Sequence, residues 1–343
     1  MALADDGGEG NGNGEGAKMA HHEQRQRDAG RAEDADFAGR RCLAAFLVLL
    51  VLSSVAFAVE PGSVGVVADA ADGLSAKGGD LMPLARDGAL AVAGLAAAAF
   101  ALRGSLRASG CLQNASGAEN RGAMRRSSRR VTVALMTLAV LGVAAGWFTM
   151  VSEVGLPAGG AGFCLRWGDG GATVAGVLTL LLLCLFTGVY EEALFRPLLI
   201  GALMQSGPRV VRRPWVAAAV SALLFGLMHV APALPGGSFG CAVPLEAVLP
   251  VARFVQTAAF GFLMAELFMA TGSFWLVAIA HGLFDLLLFG PTFLAGGFVP
   301  TYAAPTLGIV AVVVASALLL IVLCAVVLPM LKGANCQQQC QRD

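Results

Sequence analysis

Apolar and polar residues fall along this chain in long blocks. Eight apolar segments, at about 42–59, 88–102, 131–151, 172–201, 215–233, 248–270, 274–294 and 306–329, are separated by polar or glycine-rich connections. A helix needs about 20 mainly apolar residues to cross a hydrocarbon core, so each segment is a candidate span. The second is the shortest and is rich in alanine. Helices satisfy their own backbone groups where no water is present. The pattern therefore predicts an all-α fold, a polytopic membrane bundle of about eight transmembrane helices.

Composition supports this division. Hydrophobic residues make up 57% of the 343 and charged residues only 13%, where a soluble domain averages about a quarter charged. Residues 1–38 hold almost no large apolar side chain and cannot bury enough surface to offset ordering entropy. They are expected to form a disordered cytoplasmic tail, with His21 and His22 solvated in it. Residues 39–333 then form one transmembrane domain and 334–343 a short second tail; no internal repeat is visible, and the external loops are too short for a further domain. The net charge is zero, which argues against a nucleic-acid partner, because phosphate neutralisation needs clustered Lys and Arg.

The basic residues are sorted by connection. Residues 25–41, 103–130, 203–214 and 330–343 hold seventeen Lys and Arg, whereas 60–87, 152–170, 234–247 and 295–305 hold three. Under the positive-inside rule, both termini are expected in the cytoplasm of a protein integral to the cell membrane. Ala56-Phe57-Ala58 fits a signal-peptidase site, but 41 residues precede the apolar run, so an uncleaved signal anchor is the expectation. Of eight cysteines, Cys42, Cys184 and Cys324 lie in spans. Cys111, Cys336 and Cys340 face the cytoplasm on this reading, and Cys164 and Cys241 fall in two external loops where they are expected to pair.

Charge inside the spans is where chemistry is to be sought, because ionisable groups at membrane depth are costly. Glu191, Glu192 and Arg196 follow the apolar run 177–186. Glu192 and Arg196 are four apart and share a helix face, while Glu191 points about 100° away. Pro197 cannot donate to the carbonyl of Ala193, which loosens the helix beside the carboxylates. A span ending at Tyr190 would instead leave the three charges in the headgroup layer. Against that stand Phe225-x-x-x-His229 in the fifth segment and His281-x-x-x-Asp285 in the seventh. Measured from the predicted cytoplasmic ends, Glu191, His229 and His281 sit at roughly 15, 20 and 10 Å. Those depths are compatible with one polar site in the cytoplasmic half of the bilayer. A carboxylate and two imidazoles can activate water and stabilise an oxyanion, as peptide hydrolysis requires. Glu191, His229 and His281 can equally be read as ligands of a catalytic zinc with one open position.

Glu191-Glu192-x-x-x-Arg196, Phe225-x-x-x-His229 and His281-x-x-x-Asp285, in that order, resemble the three motifs of the CAAX prenyl protease type II family, also called the CPBP or Abi intramembrane proteases. The resemblance covers about residues 170–295. It implies a CAAX-type intramembrane endopeptidase, glutamate-dependent or metallo-endopeptidase, acting on a membrane-associated peptide or protein within the lipid bilayer. By it, Glu191 is the catalytic base and His229 its partner in activating water. His281 and Asp285 line the oxyanion side, and Glu192 and Arg196 support them.

Asp285 departs from the eukaryotic relatives, which usually carry Asn there; an ionised Asp cannot donate to an oxyanion. The glutamate mechanism requires no cofactor, and the metallo variant requires zinc. No His-Glu-x-x-His or Gly-x-Gly-Asp signature occurs in a span, and Gly236-Gly237-Ser238-Phe239-Gly240 lies in a loop rather than at a strand-to-helix turn. Arg253 and Glu266 in the sixth segment are expected to snorkel to opposite interfaces. A proton-coupled transporter would also use buried Glu and His, but the paired broken helices of two related halves are missing. A non-catalytic scaffold or immunity protein on the same fold is the remaining class.

Overall fold

In the computed structural model, the described residues are 13–58, 81–102, 120–154, 173–230, 244–296 and 306–340, and their regular elements are all helices. In chain order these are α1 (Asn13–Ala58), α2 (Leu81–Leu102), α3 (Asn120–Val154), α4 (Val174–Ser206), α5 (Pro214–Val230), α6 (Pro244–Thr271), α7 (Phe274–Gly296) and α8 (Leu307–Cys340). Among the described residues, six stretches are long and apolar enough to cross a membrane: Glu33–Val55, Arg129–Val154, Val174–Ser206, Val248–Thr271, Phe274–Gly296 and Leu307–Val326. α5 is apolar but has only 17 residues, and α2 coincides with the alanine-rich second segment. Each apolar segment of the sequence lies on a helix of one polytopic bundle.

The N-terminal tail differs from expectation over 13–38. These residues continue the first span as helix rather than disorder. Low hydrophobicity rules out a packed core, but it does not prevent a helix from extending outward from an embedded turn. The extension is rich in good helix formers, and Arg27–Glu23 and Arg40–Asp36 pair one turn apart at 3.5 and 2.8 Å. Residues 1–12 and the proposed Cys164–Cys241 pair lie outside the described residues.

α4 is the axis of the bundle. α1 runs antiparallel along its second half: Ser206 Oγ donates to the Asp36 carbonyl at 2.8 Å, and the rings of Phe46 and Phe195 meet edge-to-face at 6.1 Å. α2 runs parallel to it. A Cβ on Gly88 would meet Phe186 at 3.2 Å, and one on Gly94 would meet Ala193 at 3.2 Å. α7 crosses the first half of α4, and α3 packs on α7 through Gly142 and Gly146, where small residues let backbones approach. α6 joins α5 to α8, with Gln256 donating to Ser316 and Cys324 Sγ donating to the Ala259 carbonyl at 3.3 Å.

Pro197 does what its chemistry demands. Without an N–H it cannot hold the α-helical ladder, and Leu194–Ile200 widens into a π-helical turn whose seven residues are all buried. Such turns appear mostly within α-helices and often at functional sites. The widened turn follows directly on Glu191 and Glu192.

Candidate active site

The site forms where α4, α5 and α7 meet. Glu192 and Arg196 are both fully buried, with Arg196 Nε on Glu192 Oε2 at 2.6 Å and Nη2 on Oε1 at 3.3 Å. This fork-on-carboxylate geometry is among the stronger polar contacts. Arg196 Nη1 also donates to Ser221 Oγ at 3.2 Å, and Ser221 in turn donates to the Phe195 carbonyl at 3.2 Å across the π turn. The helix-face argument from sequence thus holds: Arg196 occupies Glu192 and leaves Glu191 to its other neighbours.

Glu191 Oε2 lies 3.6 Å from His229 Nε2 and 3.7 Å from His281 Nε2. It is buried and has no direct hydrogen-bond partner. Both separations exceed a hydrogen bond. The other nitrogen of each imidazole is committed. His229 Nδ1 is 2.9 Å from the Phe225 carbonyl, which can only accept, so the proton sits on Nδ1. In the neutral ring, Nε2 then presents a lone pair toward Glu191. His281 Nδ1 is 2.9 Å from Glu192 Oε1, held anionic by Arg196, and so donates to it. His281 Nε2 is also 3.5 Å from Asp285 Oδ2, one turn along α7. All six residues singled out in the sequence therefore belong to one connected cluster.

Phe225 aside, the residues that position them were not legible as such in the sequence. Ser221 carries no motif, yet it ties Arg196 to α5. The rings of Phe225 and Phe260 pack on His229 and His281 at 4.4 and 4.8 Å between centroids, fixing the imidazole planes. Gly188 and Gly282 sit back to back at the α4–α7 crossing. A Cβ on Gly188 would lie 2.6 Å from the Ala278 carbonyl, and one on Gly282 would lie 2.8 Å from that of Cys184. The signal for the pair was present, since each glycine lies within three residues of a candidate catalytic group, but neither glycine names its partner.

One further charge departs from expectation. Glu266 does not reach an interface: it is fully buried, and neither carboxylate oxygen has a hydrogen-bond partner. Arg253 is half-buried. A zinc ion held by Glu191, His229 and His281 was one reading of the sequence. Among the described residues, no group of three or more His, Cys, Asp or Glu side chains is arranged to hold a metal ion. Glu192, the nearest extra donor, is already saturated by Arg196 and His281.

Three helices of a polytopic bundle thus bring carboxylates and imidazoles together in one buried cluster. Residues 173–287 match the family model described as Type II CAAX prenyl endopeptidase Rce1-like. The matched stretch runs from the cap of α4 into α7 and contains Glu191, Glu192, Arg196, His229, His281 and Asp285. No curated protein and no solved structure matches the chain. Over these residues the chain is similar to that family.

Proposed function

We propose that this protein hydrolyses a peptide bond in a membrane-associated peptide or protein, by a glutamate-dependent mechanism with Glu191 as base. The observation that carries the reading is the convergence of Glu191 Oε2 with His229 Nε2 at 3.6 Å and His281 Nε2 at 3.7 Å. A water between Glu191 and His229 donates one hydrogen to each acceptor, which aims its lone pairs at a substrate carbonyl. Glu191 takes one proton as the oxygen attacks the carbonyl carbon. His281, with Nδ1–H on Glu192 and Nε2 also protonated, donates from Nε2 to the oxyanion. Collapse of the tetrahedral intermediate breaks the C–N bond, and the proton on Glu191 passes to the departing amine.

Asp285, with Oδ2 3.5 Å from His281 Nε2, orients that ring between turnovers by charge; it is not the oxyanion donor. Glu192 and Arg196 form a neutral pair that keeps the His281 ring oriented, with Nδ1–H on Glu192, at little electrostatic cost to Glu191. The charge asymmetry of the connections supports cytoplasmic termini and a site that opens toward that leaflet. The test is cleavage of a membrane-anchored peptide reporter by the purified chain and its Glu191→Gln variant. The variant is expected to fold and insert with cleavage reduced by about 10²–10⁴; undiminished cleavage refutes the assignment.

A further inference from the structure

The turn between α4 and α5 carries a second chemistry, far from the carboxylates. Gly207 ends α4, and the backbone folds tightly, with Val211 N on the Pro208 carbonyl at 2.8 Å and Val216 N on the Arg213 carbonyl at 2.9 Å. Arg212 shapes the turn from within, its Nε donating to the Gly207 carbonyl at 2.7 Å. Arg209 and Arg213 are exposed, and no carboxylate among the described residues pairs with them. The nearby acidic side chain on α1, Asp36, is already taken by Arg40 at 2.8 Å. Between and beside the two arginines the chain exposes apolar surface, with Val210 62% and Trp215 55% accessible.

A solvated turn has no use for an exposed valine and tryptophan among its arginines. Two unpaired guanidinium groups flanking apolar side chains, at the end of a membrane-length helix, match a phosphate with hydrocarbon directly beneath it. Tryptophan favours that boundary, and arginine is the side chain best shaped for phosphate. We infer that the α4–α5 turn is a binding site for the headgroup of an anionic phospholipid, with Arg209 and Arg213 on the phosphate and Val210 and Trp215 in the acyl boundary. The site does not depend on the protease reading. It is joined to the catalytic cluster by α4 and α5, which carry Glu191 and His229.

The full chain, purified in detergent, is titrated with short-chain phosphatidylglycerol while its thermal unfolding is followed. Phosphatidylcholine and inorganic phosphate serve as separate arms. Phosphatidylglycerol is expected to raise the unfolding temperature saturably, and each arginine removed weakens the midpoint by about fivefold. Arg209→Ala with Arg213→Ala is expected to unfold at the wild-type temperature without lipid, because both side chains are exposed. Arg209→Lys with Arg213→Lys is expected to keep most of the response. An equal shift with phosphatidylcholine, the same shift with inorganic phosphate alone, or a wild-type midpoint in the double alanine variant would each overturn the inference.

Discussion

Gly188 on α4 and Gly282 on α7 meet backbone to backbone. A Cβ on Gly188 would stand 2.8 Å from the Gly282 nitrogen and 3.2 Å from its Cα. No flexible side chain is available to yield there. The crossing sets the spacing of the site, because Glu191 lies one turn beyond Gly188 and His281 immediately precedes Gly282.

Gly282→Ala is therefore expected to force α4 and α7 apart. Overpacking of this kind costs about 1–3 kcal/mol, and a displacement of about 1 Å between reacting groups costs about a hundredfold in rate. Thermal unfolding and reporter cleavage check the two effects separately. A variant with wild-type stability and cleavage would show that the crossing does not set the site.

Arg196→Met is expected to leave Glu192 as an uncompensated buried charge and to destabilise the protein by about 3–5 kcal/mol. Replacing both partners, as Glu192→Leu with Arg196→Met, is expected to recover most of that loss, because a buried ion pair contributes little beyond an apolar pair of similar volume. Cleavage should stay low in the double variant, since His281 loses its acceptor at 2.9 Å. Unfolding curves and reporter cleavage on the same preparations decide both points.

Asp285→Asn keeps a partly negative oxygen one turn from His281 and is expected to retain activity within about tenfold, the equivalent of one modest polar contact. Asp285→Leu removes the oxygen and should lose more. Equal cleavage by the two variants would remove Asp285 from the orienting role.

Dialysis of the active protein against a strong chelator is expected to leave reporter cleavage unchanged. Loss of activity that returns on adding zinc would replace the glutamate mechanism with a metal-dependent one.

Glu266→Gln is expected to be tolerated or mildly stabilising. Both carboxylate oxygens are buried without partners, and an unpartnered buried polar group costs about 1–3 kcal/mol. An amide of the same shape removes any cost of charging the group. A large drop in unfolding temperature would mean that the carboxyl holds a contact of its own.

Much of the site was legible because spacing along a helix is a property of the chain alone. Four residues from Glu192 to Arg196, from Phe225 to His229 and from His281 to Asp285 put each pair on one face wherever the helices go. Glu266 shows the opposite case. Its place near a helix end suggested an interface, but whether a flank faces lipid or protein depends on which helix lies beside it. The helical tail at 13–38 shows a third: composition reports the absence of a core, not the fate of a helix already started inside the membrane.

The amino-acid order by itself determined the all-α membrane character, the apolar segments on which the helices lie, the break at Pro197 and which charged and imidazole side chains share a helix face, because these follow from hydropathy, backbone chemistry and helical periodicity. Only the tertiary structure decided that Glu191 faces His229 and His281, that Glu192 is held by Arg196 and His281 together, and that Ser221, Gly188 and Gly282 fix the geometry. Those relations join helices distant in the chain, and contact between them is set by how closely two backbones can approach, a quantity that no single segment contains.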